Sequence, residues 1–244
     1  MKNILLSTAV FAFSAGFALA DGHGSVIRMG TEGAYPPYNF LNDDGEVDGF
    51  EREVGDELCA RAELTCEWVT NDWDSIIPNL TSGNYDTIIA GMSITAERDE
   101  VIDFTQNYLP PAASAFVAKS ADADLEGGVI AAQTNTIQAG YIAESGATLL
   151  EFATYDETIA AVMSGEADAV FADQDALAPT VEESGGELTF AGEEVPLGGG
   201  VGMGLRESDT ELKAKFDAAI TSMKEDGTLN AAIIKWFGED AATY

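Results

Sequence analysis

The 244-residue chain is 46% hydrophobic and 22% charged, a balance that excludes a disordered polyampholyte and a multi-span membrane protein and predicts a soluble globule of one to two domains. Its 43 Asp and Glu against 11 Lys and Arg give a formal charge of −32, which repels phosphate backbones and anionic headgroups and so argues against nucleic acid as a partner. A single histidine, His23, leaves no Ser-His-Asp triad, Cys-His pair or multi-His metal centre to be assembled.

Residues 1–20 carry Lys2, an apolar run from Ile4 to Phe17 and the small-x-small sequence Ala18-Leu19-Ala20. This is the pattern of a cleaved secretion signal, cut after Ala20; a membrane anchor needs about 20 apolar residues, and the run is shorter. Export brings Cys59 and Cys66 into an oxidising compartment. There they are expected to close a local disulfide between a helix end and the next strand, the spacing not being the C-x-x-C of a redox pair.

VIRMG reads as a strand. The acidic stretch DDGEVDGFE fails as a calcium loop, because with Gly49 at the sixth position Gly55 falls where a glutamate is needed; a tight turn around Asp44-Gly45 fits instead. Phe50, Val54, Leu58 and Ala62, spaced by four, predict a helix. CEWVT follows as a strand, SIIPNLTSG as a short helix ending on Gly83, and DTIIAG as a buried strand. This βαβ rhythm predicts a parallel sheet with crossover helices. Pro110-Pro111 cannot sit inside a central strand and marks a crossover to a second unit. That unit reads as ASAFVA, GVIAA, a helix from Thr136, LLEFAT, a helix from Glu157 to Met163 stopped by Gly165, and ADAVFA. The run PLGGGVGMGLR is the candidate return crossing; it has no Gly at i, i+2 and i+5 and is no dinucleotide fingerprint. A helix from Thr210 to Lys224 and the segment LNAAIIKWFG, docked on the first unit, close the chain. The expected architecture is α/β, with one lobe from 24–109 plus 199–244 and the other from 112–196.

Open α/β sheets place ligands at the C-terminal ends of their strands, so polar groups there are the candidates. Glu32 and Tyr35 follow the first strand and Trp73 the second. An acid beside two aromatic faces suits a cationic or amino-bearing group, although each aromatic reads equally well as core or rim. After DTIIAG, Gly91 and Ser93 offer backbone N–H groups and Arg98 a guanidinium, together a carboxylate site. Spacing alone favours a solvated ion pair of Arg98 with its neighbours Glu97 and Asp99. Thr136 and Gln138 lie in the first turn of a helix, an anion-facing position. Asp173 follows ADAVFA, where it can take an ammonium or cap the helix from Gln174. The set describes an amino acid, with no cofactor and no metal expected.

The segments GTEGAYPPYNF, DGFEREVGDELC, CEWVTNDWDSIIPNL, YDTIIAGMSITAERDEVIDFTQNY, QTNTIQAGY and GEADAVFAD resemble the periplasmic solute-binding proteins that feed amino acids to ABC importers, closest to the lysine/arginine/ornithine, histidine and opine members. The resemblance implies a type II periplasmic binding protein fold, two lobes on two hinge strands that close over the ligand, with an inner-membrane ABC permease as partner and the protein a monomer. It assigns the α-carboxylate to Arg98 with Ser93 and the backbone about Ile137, the α-ammonium to Asp173, and the ligand side chain to Tyr35, Trp73 and Glu32. It also puts a disulfide at Cys59 and Cys66. Where several members carry two serines this chain has Ala90 and Gly91, and Ile137 replaces a frequent threonine. The preference for a basic ligand rests on Glu32; a neutral polar amino acid is the alternative, and a dehydratase-like enzyme on the same scaffold the remote one.

Overall fold

The computed structural model describes residues 26–244, so the signal sequence, its cleavage point and His23 lie outside the described residues. Two five-stranded sheets organise the chain. The first runs in the order Cys66–Thr70, Ile27–Thr31, Thr87–Ile88, Gly204–Leu205, Asp103–Phe104. The second runs Thr148–Phe152, Val129–Gln133, Ala169–Asp173, Ala113–Ala118, Thr189–Pro196.

Both sheets are mixed, which corrects the expectation of parallel ones. The strands joined by helices are parallel, as crossover connections require. Ala113–Ala118 and Gly204–Leu205 run antiparallel to their neighbours. Each of these follows a crossing between lobes, one behind Pro110-Pro111 and the other behind the glycine run, and so enters its sheet from the opposite end. The two crossings meet where Val201 N–H donates to the Leu109 carbonyl at 3.0 Å and Tyr108 N–H to the Val201 carbonyl at 2.8 Å.

The first helix, Phe50–Arg61, buries Phe50, Val54 and Leu58 as their spacing requires, and Glu51, Gly55 and Cys59 beside them. Gly55 is small for a reason: a Cβ there would stand 2.7 Å from the Trp68 ring. The closing helices Thr210–Asp226 and Thr228–Phe237 pack on this helix, with the Phe237 ring 4.9 Å from that of Phe50 and 5.0 Å from that of Tyr38. Full burial of side chains such as Phe50, Leu58, Phe216 and Ile220 stabilises the layer by about 2 kcal/mol each. Cys59 and Cys66 form the expected disulfide, tying that helix to the next strand.

Two local readings need adjusting. Within DTIIAG only Thr87–Ile88 is strand. The helix placed at Glu157 starts at Tyr155, because Thr154 and Glu157 form a capping box, and it ends at Ser164 on Gly165, whose φ of 82° is the left-handed stop. The turn at Asp44-Gly45 joins two strands, Asn39–Leu41 and Val47–Asp48, of a small third sheet completed by Ala34–Tyr35.

Candidate functional site

The C-terminal strand ends of both sheets face one cavity between the lobes. All ten residues expected from the strand-end rule and the resemblance line it: Glu32, Tyr35, Trp73, Gly91, Ser93, Arg98, Thr136, Ile137, Gln138 and Asp173, with Ala90 and Gln133. The structure brings them together from segments more than a hundred positions apart.

Asp173 is the most constrained group. Its Oδ2 accepts from the Tyr35 hydroxyl at 2.7 Å and its Oδ1 from Gln138 Nε2 at 2.9 Å. It occupies the N-cap position of the helix Gln174–Glu183, as expected, but its side chain makes no capping bond and lines the cavity instead. Burial pushes its pKa up to about 6, against the pull of Tyr35, Gln138 and Arg98. Glu32 accepts from Gln133 Nε2 at 2.6 Å, and burial pushes it up to about 7.

Arg98 sits on the short helical turn Ala96–Asp99, where Thr95 Oγ1 caps its backbone N–H at 3.2 Å. Among the described residues it forms no ion pair with Glu97 or Asp99, because adjacent positions on a helix point away from one another. Its fork donates from Nη1 to the Ser93 carbonyl at 2.8 Å and from Nη2 to the Asn135 carbonyl at 3.1 Å. The guanidinium carbon lies 5.4 Å from the Trp73 ring centre, and burial draws its pKa down to about 10. Trp73 itself donates from Nε1 to the Thr134 carbonyl at 3.0 Å.

The helix Ile137–Ala143 begins at the cavity. Thr136 Oγ1 caps Ala139 N–H at 3.1 Å and donates to the Gln133 carbonyl at 2.6 Å, which leaves the N–H groups of Ile137 and Gln138 without intrahelical acceptors. The Gln138 side chain is not left open for a ligand anion, as its helix-start position suggested. Its amide is buried and donates to Ser114 Oγ and Asp173, because a carboxylate stands within reach.

Gly91 also departs from expectation. Its N–H is not open to a ligand but donates to Glu51 Oε1 at 2.6 Å. Glu51 is fully buried and also accepts from Asn39 Nδ2 at 2.7 Å and from the Tyr108 hydroxyl, so one carboxylate ties the cavity floor to the crossing segment. Sequence reasoning missed Glu51 and Gln133. Gln133 closes the strand Val129–Gln133 and satisfies the strand-end rule. Glu51 heads a row of small residues, Gly55 and Cys59, spaced by four, which is the signal of its burial.

The cavity therefore pairs a guanidinium and helix-start N–H groups, which suit an anion, with two carboxylates, which suit cations. Three comparisons bear on it. The profile of the Bacterial extracellular solute-binding proteins, family 3, matches residues 27–239. The crystal structure of a periplasmic His/Glu/Gln/Arg/opine family-binding protein from Silicibacter pomeroyi in complex with lysine is 80% identical, covers 90% of this chain and 100% of its own, and superposes with a TM-score of 0.89. The L-arginine-binding protein of Pseudomonas aeruginosa is 31% identical over 231 residues, 88% of each chain, and the histidine-binding periplasmic protein of Salmonella typhimurium is 32% identical over 256 residues, 98% of each.

Proposed function

This chain belongs to the bacterial extracellular solute-binding proteins, family 3, and on that premise we propose that it captures a basic amino acid, lysine first among them, between its two lobes and delivers it to an inner-membrane ABC permease. The observation that carries the reading is a half-buried guanidinium and two half-buried carboxylates lining one cavity. Burial draws all three toward their neutral forms, so each gains from a counter-ion. The α-carboxylate goes to Arg98, Ser93 and the N–H groups at Ile137, and the α-ammonium goes to Asp173. Tyr35 and Trp73 flank the aliphatic stem, and Glu32 takes the distal cation. Leaving either end of a zwitterion unmatched costs several kcal/mol, about a hundredfold or more in affinity, which is how such a site rejects molecules lacking one group. Lobe one is drawn at 24–109 plus 199–244 and lobe two at 112–196, both from one chain, so a monomer suffices. The signal is cut after Ala20, releasing the protein into the periplasm.

The test is calorimetric titration of the mature chain, unfolded and refolded to strip retained ligand, with lysine, arginine, ornithine, histidine, glutamine, glutamate and octopine. Tight binding of the cationic members, weakened at least about a hundredfold in Glu32→Gln and abolished in Arg98→Ala, is expected. Heat from neutral or acidic ligands alone overturns the role of Glu32.

A further inference from the structure

Glu32 and Gln133 come from the two different sheets, 101 positions apart in sequence, and meet at the cavity wall through the 2.6 Å bond from Gln133 Nε2 to Glu32 Oε1. Gln133 is fixed in place: it is 7% exposed, and its amide also donates to the Ala153 carbonyl at 3.1 Å. Glu32 Oε2 accepts no bond among the described residues. Gln133 thus holds one oxygen of the carboxyl and leaves the other to the ligand.

We propose that Glu32 and Gln133 form a proton-dependent specificity gate: ionised Glu32 selects a ligand with a distal cation, whereas protonated Glu32 admits a neutral amide side chain in its place. The gate rests on the basic-amino-acid reading and adds its regulation. An oxygen without a protein donor, in a half-buried carboxyl and open to the cavity, is the place where a proton or a ligand group is held most easily. The charges around it act in the same direction. Burial leads, and Asp72 ahead of Trp73, Glu51 on the first helix and Asp156 on the helix Tyr155–Ser164 add negative potential; Gln133 alone among the hydrogen-bond partners opposes them, and together they bring Glu32 to about 7. Of the other groups, Arg98 on the cavity wall stays cationic, with its pKa near 10, and Tyr35 on the wall and Tyr155 packed edge-on against it stay protonated, held up by burial. Asp173 titrates near 6, but it faces the α-ammonium that every amino acid carries. A comparison of two amino acids cancels it.

A lysine ammonium needs the ionised carboxyl. A glutamine amide meets either form, turning its NH2 to a carboxylate or its carbonyl to a carboxylic acid. Lysine affinity relative to glutamine is therefore expected to fall about tenfold from about pH 8 to about pH 6. The experiment is calorimetry of the mature chain with both ligands across that range, repeated on Gln133→Leu. Removing the donor that favours the ionised form moves the midpoint of the ratio to higher pH. A lysine-to-glutamine ratio that stays level while lysine binds tightly overturns the gate and leaves the basic-amino-acid reading standing. Failure of glutamine to bind at the acid end also overturns the gate. Failure of lysine to bind at any pH overturns that reading and the gate with it. An unshifted midpoint in a Gln133→Leu protein that still binds lysine removes Gln133 from it.

Discussion

Tyr35 and Asp173 lie 138 positions apart in sequence, yet the Tyr35 hydroxyl donates to Asp173 Oδ2 at 2.7 Å and so links the two lobes directly. That bond and the one from Gln138 hold the carboxylate ionised against a burial that pushes its pKa up to about 6. Tyr35→Phe keeps the ring and removes one donor. A hydrogen bond to a charged group is worth about 1.5–3 kcal/mol, so ligand affinity should weaken about tenfold or more. The ligand's ammonium needs the ionised form, and loss of the donor raises the pKa further. Binding by the variant is therefore lost at a higher pH than in the wild type. Calorimetry over a pH series measures both effects, and an unshifted acid limb would separate Tyr35 from the charge state of Asp173.

Glu51 gathers Gly91 N–H, Asn39 Nδ2 and the Tyr108 hydroxyl on one carboxyl with no exposure to water. Burial raises its pKa, and those three donors pull the other way. Glu51→Gln turns an NH2 group toward one of the donors, so a bond becomes a repulsion. The expected cost is about 2 kcal/mol of stability, a Tm lower by about 4–8 °C, with weaker ligand binding because Gly91 floors the cavity. Urea denaturation measures it. A variant as stable as the wild type would mean that Glu51 carries a proton in the fold.

These two residues also mark what a linear reading can and cannot reach. Glu32, Tyr35, Trp73, Asp173 and the Arg98 turn were legible because strand ends in open α/β sheets converge, and because charge and aromatic faces announce themselves at those ends. Gln133 stands at the same kind of position, but an amide carries no charge to single it out. Glu51 sits in the first turn of a helix, where an acid is favourable to the helix dipole and reads as a solvated residue. Its burial comes from Asn39 and Tyr108, which are remote partners. Strand direction was illegible for a related reason: hydrophobic periodicity finds a strand such as Ala113–Ala118 but says nothing of the end from which it enters its sheet. Arg98 shows the converse, since its sequence neighbours suggested an ion pair that helical geometry forbids.

The Cys59–Cys66 disulfide closes a loop at the end of the first helix, and neither residue lines the cavity. Loop entropy assigns a bridge of this separation about 2 kcal/mol. The double variant Cys59→Ser/Cys66→Ser should unfold at lower urea by that amount and bind ligand with unchanged affinity. Parallel denaturation and titration experiments test the two halves, and a loss of affinity would mean that the helix end helps to set the cavity.

Asp86 anchors the edge of the first lobe. Its Oδ2 accepts from Arg28 N and Nε, both at 3.0 Å, and its Oδ1 from Arg28 Nη2 at 3.0 Å and Arg206 Nη2 at 3.2 Å. Burial alone would raise its pKa, but these guanidinium bonds outweigh it and hold Asp86 below the usual carboxylate range. A carboxyl depressed in the fold stabilises it above the unfolded value, near pH 4, and that stability is lost as pH falls through the lower folded value. Glu32 and Asp173 have the opposite sign: their raised values make the ligand-free fold gain stability as pH falls from about 7 toward 5. Asp86→Asn leaves two guanidinium groups facing a neutral amide and, with Arg28 partly exposed, should cost about 2 kcal/mol at neutral pH. Denaturation profiles of the wild type and the variant should then begin to converge below about pH 4 and meet once pH falls through the lower folded value, where protonation removes the same charge from the wild type. A gap that persists in acid would assign the stability to the shape of the Asp86 hydrogen bonds rather than to its charge.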